Sequence, residues 1–571
     1  MESKGAVSER TPLLGGASIV SVAAPDLINR AAESSPPGIS LRESVERGKA
    51  SGLVNDGYKE EEEPVCCGQE QLAYSILARL PAIHTYAFLA FFLYFGHTWL
   101  LIQRPDIAVA IIGLILVYAI TRFWIMWFSA FYGLSLLRKN DNRDPNHWQS
   151  QPRPLGAPDF YSVWHAVMIP SYKEPIGKLR QTIDTIAEQS IAKQIVLCMA
   201  MEERDPNAVL VAEALQAEYA GRLGGFCYAI HPVTPGEVPG KSSNENWAAR
   251  CVSKYMVEKL RIPERSIILT TCDADTFFHP NYFAYVTHAF LCDGDDRYHR
   301  VYQAVTNWMP NVLQVPAICG TRYTVMSIAR VAEMASPATN PFPIAIYSLS
   351  LPLAKQAKFW DPTVIPEDWH MYFRCSMSDQ GKVQVTRLMI LVGTEAVEGK
   401  NYLDTVKECY DQSVRWQWGA TDVGYLLVQS VNRWDVPLHK RLSMLLCAYD
   451  HHLLTVALVV SIIASPILYG KIPVMLDLDM WTGAEMIVAL QVILSWLWLF
   501  HVSLHFMFLC YTDHRVRNEL LRGRSHFNVT EGFWANGPPR WLSLIMFPFA
   551  DIFLFIVPTV HAHTKMFISS N

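Results

Sequence analysis

Apolar stretches of bilayer-crossing length occur only toward the two ends of this chain, and that division constrains its fold more than any other feature. A helix that crosses a bilayer needs about 20 consecutive apolar residues. Ile83–Ile102, Ile107–Trp127, Leu453–Gly470, Ala484–Cys510 and Trp541–His561 come close to or meet that requirement. The short turn Gln103–Asp106 makes a hairpin of the first two. Arg515, Arg517, Arg522 and Arg524 fall between the fourth and fifth stretches, whereas Asp477, Asp479 and Glu485 fall between the third and fourth. Basic loops stay on the cytosolic side, so the N-terminus and the long polar middle are expected in the cytosol. The sequon Asn528-Val529-Thr530 then faces the cytosol and is expected to stay unglycosylated. Asp551 and His501 would lie at similar depth in neighbouring spans. A pairing of Asp551 with His501 or His505 would serve either a polar path or a plain helix–helix bond.

Residues 1–70 are rich in Ser, Gly, Pro and Ala, end in the acidic run Glu60–Glu63, and show no sustained period, so a disordered cytosolic tail is expected. No cleavable signal peptide is expected, because no apolar segment follows a basic start. The tail carries Glu9-Arg10-Thr11-Pro12-Leu13-Leu14, which resembles an acidic dileucine signal for a sorting adaptor; a chance match fits equally well. Cys66-Cys67, just ahead of the first apolar stretch, suits either palmitoylation or plain thiols. The 12 cysteines form no CxxC pair, so reduced thiols are expected in place of zinc or disulfides. A net charge of −5 lacks the basic surplus of a nucleic-acid binder.

The middle of the chain, 159–432, alternates two periods. Apolar runs at Val163–Ile169, Ile195–Ala200, Phe226–Ile230 and Ile267–Thr271 suit buried parallel strands. Between them, Lys178–Glu188, Ala208–Tyr219 and Glu245–Leu260 suit helices. Such repetition predicts an open α/β sheet whose ligand sits beyond the carboxyl ends of the strands. Acidic residues gather just after those strands: Glu174, Glu202, Glu203, Asp205, Asp273 and Asp275. Alternation along an extended chain would put Asp273 and Asp275 on one side, where two carboxylates suit a hard divalent ion. Carboxylates at strand ends also cap turns and helices.

Four signatures carry a family resemblance: VMIPSYKEP (Val167–Pro175), TCDADTF (Thr271–Phe277), IPEDW (Ile365–Trp369) and QSVRW (Gln412–Trp416). In this order and spacing they resemble the nucleotide-sugar site of membrane-embedded, processive-type family 2 glycosyltransferases, the group that includes the cellulose, chitin and hyaluronan synthases. The resemblance spans about 163–419. It implies a GT-A (Rossmann-like) α/β domain at 159–432 embedded between transmembrane helices, two before and three after. The remaining parts would be a hairpin at 71–135, an interfacial segment at 433–452 and three spans with a basic cytosolic loop at 453–571.

By resemblance, Pro170, Tyr172 and Glu174 hold the nucleoside, and Glu202 and Glu203 stand where the family has an aspartate pair. Lys241, in a Lys-small-small segment that opens a helix, lies near the donor diphosphate, as a cation beside a helix N-terminus suits an anion. Asp273 contacts the sugar or ribose and, with Asp275, the metal (Mg2+ or Mn2+). Asp368, beside Glu367, is the base that takes the acceptor hydroxyl proton. Gln412, Arg415 and Trp416 meet the acceptor and the leaving diphosphate, Arg through its fixed fork of donors. Pro366 replaces the family's Thr, and Tyr347–Pro352 replaces a Gly-rich stretch.

The expected function is inverting transfer of a sugar from a nucleoside diphosphate sugar, a UDP-hexose or UDP-N-acetylhexosamine, to a polysaccharide on the cytosolic face. Transfer of one sugar to a lipid, as in ceramide glucosyltransferases, stays open, and so does a non-catalytic binding relative. The expected location is a Golgi, endosomal–vacuolar or plasma membrane.

Overall fold

The computed structural model describes residues 76–90, 105–141, 143–144, 146–308, 310–312, 314–454 and 546–568. The tail with Glu9, Leu13, Leu14, Cys66 and Cys67 lies outside the described residues, as do nearly all of the third expected span, the whole of the fourth, the basic loop, His501 and His505.

A seven-stranded sheet organises the middle of the chain, in the order β3-β2-β1-β4-β6-β5-β7. The strands are β1 (Trp164–Ser171), β2 (Ile195–Glu202), β3 (Gly225–His231), β4 (Ile267–Thr271), β5 (Arg300–Asn307), β6 (Tyr347–Ser350) and β7 (Gln384–Gly393). The helices are α1 (Leu80–Ala90), α2 (Pro105–Asp141), α3 (Ile176–Ala187), α4 (Ala208–Tyr219), α5 (Lys241–Lys254), α6 (Tyr282–Cys292), α7 (Ala317–Ala335), α8 (Leu351–Gln356), α9 (Glu367–Ser378), α10 (Tyr402–Gln417), α11 (Thr421–Asn432), α12 (Leu438–Tyr449) and α13 (Val557–Ile568).

The near-continuous apolar runs of β1 and β2 are explained by helices on both faces of the sheet. Successive side chains point to opposite faces. Ala166 and Met168 meet Ala248, Ala249 and Val252 of α5 on one side. Val167 and Ile169 join Leu179 and Ile183 of α3 and Phe283 and Val286 of α6 on the other. His165, fully buried in this core, is held by Thr287 Oγ1 at 2.7 Å, and burial pushes its pKa down to about 3, so it is neutral.

The expected parallel pairing holds for β1–β4, and β5 pairs in parallel with β7. The unforeseen β6 runs antiparallel to both β4 and β5. Ser348 is the reason this short strand is stable so deep in the sheet: its hydroxyl lies 2.8 Å from Thr270 Oγ1 and 3.0 Å from Tyr282 Oη. Ser350 then caps α8 by accepting from the Leu353 N–H at 3.3 Å. Tyr347–Pro352 is thus a strand running into a helix, with no glycine-like turn in it.

Among the described residues no helix is long and apolar enough to cross a membrane. The first expected span, Ile83–Ile102, is described only as far as Ala90, within α1, and its remainder lies outside the described residues. In α2 the apolar residues Trp127, Ala130, Leu134 and Leu137 pack against Ile328, Val331 and Ala335 of α7 and Met389 of β7. That half of the helix belongs to the core of the α/β domain.

Candidate active site

The carboxyl ends of β1, β2 and β4 face the N-termini of α5 and α9, and one ammonium group joins them. Lys241, the first residue of α5, places Nζ 2.7 Å from Asp273 Oδ1 and 2.7 Å from Glu367 Oε1. Glu245, one turn along the same helix, is 3.8 Å away and fully buried. Burial opposes the charge on Lys241, but Asp273, Glu367 and Glu245 outweigh it and hold its pKa well above the usual lysine range. Burial, more than any partner, keeps the Glu245 carboxyl far above the carboxylate range, and the carboxyl bonds with the Thr271 hydroxyl at the end of β4.

Asp368 follows Glu367 at the start of α9. Its Oδ1 accepts from the Trp369 N–H at 2.8 Å and its Oδ2 from the Ala345 N–H at 3.2 Å. Ala345 has a φ of 54°, a left-handed conformation uncommon away from glycine. Burial and the neighbouring Glu367 raise the Asp368 pKa to about 7, against the pull of Lys241. A carboxyl group poised near neutrality is suited to general base work.

Asp273 and Asp275 are not on an extended chain. The strand ends at Thr271, and Asp273–Thr276 is a turn closed by the Thr276 N–H on the Asp273 carbonyl at 3.3 Å. Thr182 Oγ1 of α3 holds the Ala274 carbonyl at 2.7 Å. The two carboxylates point to different partners, Asp273 to Lys241 and Asp275 to Thr394 Oγ1 at 2.8 Å. They remain near enough to repel: burial and Asp273 raise the Asp275 pKa to about 7, with Lys178 opposing. Among the described residues no group of three or more His, Cys, Asp or Glu side chains forms a metal cluster. Asp275, raised by burial and by Asp273, still offers with Asp273 a pair of carboxylates to a hard divalent ion that completes its shell with water and phosphate oxygens.

At the end of β1, Lys173 takes a left-handed φ of 60° and its N–H donates to Asp205 Oδ2 at 3.2 Å. Its ammonium lies 4.8 Å from the Tyr172 ring centroid, and the Arg204 guanidinium lies 4.6 Å from it. Glu202 is buried and ion-paired with Arg204, while Glu203 accepts from the Val233 N–H at 3.1 Å. Pro170 stays within β1, opposite Ala200 of β2, and Glu174 is half-buried, near Lys178.

The Gln412–Trp416 signature lies on α10 and forms a second group. Gln412 Oε1 accepts from Tyr323 Oη at 2.7 Å. Trp416 stacks at a tilt on Trp308, with centroids 6.0 Å apart, and the buried Arg322 guanidinium sits 4.8 Å from its ring. Arg415 is exposed.

The chain just after β7 stitches the two groups together. Gly393 pairs with Phe277 across N–H···O bonds of 2.8 and 3.0 Å, which clamps the aspartate turn to the sheet. Thr394 then reaches Asp275, Glu395 pairs with Lys178 at 3.1 Å, and the Val397 N–H donates to Tyr323 Oη at 3.3 Å. Lys178, Glu245, Tyr323, Arg322, Thr394 and Glu395 were not predicted as site residues. For Glu395 a signal existed, since it too is a carboxylate just past a strand. For Arg322 and Tyr323 nothing local distinguishes them from core helix residues.

Residues 268–511 match the family model described as glycosyl transferase family group 2. None of the curated proteins searched matches the chain. Among solved structures, the chain is similar to the mannosyltransferase PcManGT from Pyrobaculum calidifontis in complex with GDP-Man and Mn2+, at 16% identity, 65% coverage of this chain, 92% of that chain and a TM-score of 0.36. It is also similar to GalNAc-T7 with UDP, GalNAc and Mn2+, at 11% identity, 54% and 62% coverage and a TM-score of 0.30. A third, S. aureus TarS, shows 10% identity, 55% and 52% coverage and a TM-score of 0.27.

Proposed function

We propose that this glycosyltransferase moves a sugar, with inversion, from a nucleoside diphosphate sugar to an acceptor hydroxyl at the carboxyl edge of its sheet. The observation that carries the reading is the Lys241 ammonium held at 2.7 Å from both Asp273 and Glu367, because it joins the donor loop to the helix that begins with Asp368. The donor nucleoside would lie against Tyr172 and the β1–β2 loops, with UDP as the preferred carrier. Lys241, at a helix N-terminus, would meet the diphosphate. Asp273 and Asp275 would hold the divalent ion, which when bound neutralises charge on the leaving diphosphate.

Asp368 would accept the proton of the acceptor hydroxyl as that oxygen attacks the anomeric carbon and the diphosphate departs. Its two backbone N–H partners fix its orientation, and its pKa near 7 leaves it ionised in part at neutral pH. Arg415 and Trp416, on the facing helix, would bind the diphosphate and a sugar ring. A glycan on the cytosolic face of a membrane is the preferred acceptor.

The test is nucleoside diphosphate release by the full chain in lipid, over a panel of nucleotide sugars with Mg2+ or Mn2+. One donor should support release, a chelator should abolish it, and Mn2+ should restore it. Asp368→Asn should lower kcat by about 10²–10⁴, the span of general base catalysis. A variant as fast as the wild type would rule Asp368 out as the base.

A further inference from the structure

Three helices far apart in sequence carry buried imidazole nitrogens without a hydrogen-bond partner among the described residues, and one of these rings, His452, lies beside Trp369, the residue that follows the proposed base. His452 stands in the short π-helix Asp450–Leu454 after α12 and is 5% exposed, and among the described residues neither of its ring nitrogens has a hydrogen-bond partner. His563 of α13 is fully buried; its Nδ1 lies 2.8 Å from Thr85 Oγ1 of α1, and its Nε2 has no partner among the described residues. His84 of α1 lies 2.6 Å from Tyr449 Oη through Nε2, and its Nδ1 has no partner among the described residues. His563 is tied to Thr85, the chain neighbour of His84, and His84 to Tyr449, three residues before His452, so the three rings gather where α1, α13 and the end of α12 meet.

This cluster adjoins both halves of the candidate site. The His452 ring lies 5.1 Å from the Trp369 ring, whose backbone N–H holds Asp368. Its other flank rests on Gly419, just past the Gln412–Trp416 signature. A Cβ there would stand 2.8 Å from His452 Cε1 and 2.9 Å from Nε2, so only glycine admits the ring.

A buried imidazole without a hydrogen bond is costly, since the desolvation of each polar atom goes uncompensated, at about 1–3 kcal/mol per group. Native structures retain such groups where a ligand or an ordered water meets them. A neutral imidazole offers one donor and one acceptor. Sugar and other polyol hydroxyls match both at once.

We propose that His452, supported by His563 and His84, is the acceptor-binding site of this enzyme and bonds the hydroxyl groups of a glycan or of a hydroxylated lipid. The proposal rests on the transferase reading above. The site would present one acceptor hydroxyl to Asp368 past the edge of Trp369, while the imidazoles hold its neighbours.

The experiment uses the full chain in lipid nanodiscs with the nucleotide sugar that supports release. Cellotetraose and chitotetraose are the glycan probes, and short-chain ceramide in phosphatidylcholine vesicles is the lipid probe. His452→Ala should raise the KM of the accepted probe at least tenfold. The KM for the nucleotide sugar and its slow hydrolysis without acceptor should stay within twofold. His452→Asn, which keeps one donor and one acceptor, should recover most of the acceptor KM, and Gly419→Ala should mimic His452→Ala by displacing the ring. Acceptance of one probe class over the other identifies the source of the hydroxyls.

An unchanged acceptor KM in both His452 variants overturns the proposal, as does an equal fall in donor and acceptor parameters that His452→Asn fails to rescue. No nucleotide release by the wild-type chain with any donor would instead remove the transferase reading itself, and the proposal with it.

Discussion

Asp368 is raised toward neutrality by two causes that separate experimentally, burial and the charge of Glu367. Only the ionised carboxylate can take a proton, so kcat should climb with pH and level off above about 7. Glu367→Gln removes the like charge while the Lys241 ammonium remains, which favours the ionised form. The acid limb of the kcat profile should therefore move to lower pH. A limb that stays in place would mean that burial alone sets the Asp368 pKa. At this scale the sequence was legible for residue types and their order, since Asp273, Asp275, Glu367, Asp368 and Lys241 all lie at strand or helix ends. What it did not reveal is that Lys241 pairs with Asp273 and Glu367 together. Those partners are 32 and 126 positions away in the chain, and only the folded sheet brings them to one nitrogen.

Helix α9 must hold Asp368 still, and its second turn is tied down by a buried ionic network. His370 Nδ1 lies 2.6 Å from Asp422 Oδ1 of α11, and Asp361 Oδ2 is 3.4 Å from His370 Nε2 and 2.9 Å from Arg374 Nη1. Burial opposes charging of His370, but Asp422 and Asp361 outweigh it and raise its pKa to about 9. The folded-state value lies above the unfolded value of about 6.5, so this network stabilises fully below pH 6.5. Its contribution fades as pH rises through about 9. The thermal midpoint should fall between pH 7 and 10, and His370→Gln should flatten that dependence. At pH 6.5 the variant should cost about 3–5 kcal/mol, the penalty for stranding one partner of a buried pair. An equal pH slope in both proteins would show that His370 does not titrate in this range.

Elements with local signals were readable in advance: the expected strands at Ile195–Ala200 and Ile267–Thr271 and the helix at Ala208–Tyr219 match β2, β4 and α4 closely. The antiparallel β6 was not, because four residues carry no period, and their strand character comes from neighbours on both sides.

At the scale of the whole molecule, the described C-terminal segment braces the signature helix from outside the α/β sheet. Ala562 and Met566 of α13 are buried with Val414 and Ala420, which flank Arg415 and Trp416, and Tyr410 Oη lies 2.9 Å from His561 Nδ1. On its other side α13 meets α1 through Thr85 Oγ1···His563 Nδ1 at 2.8 Å and Tyr86 Oη···Thr564 Oγ1 at 2.5 Å. The fifth apolar stretch, Trp541–His561, overlaps the start of α13. Hydropathy cannot tell a helix that buries one face on protein from one that faces lipid all round. The donor loops at the ends of β1, β2 and β4 make none of these α13 contacts, so the brace and the donor site are separable. Ala562 is fully buried, and a larger, charged side chain there would force α13 off α10. Ala562→Arg should therefore cut sugar transfer at least tenfold and leave nucleotide affinity, read by calorimetry, within about twofold. Ala562→Gly, which leaves the packed face open, should cost about 1 kcal/mol of stability and little activity. If Ala562→Arg lost nucleotide affinity in step with transfer, α13 would be part of a single cooperative core, and the brace would have no separate existence.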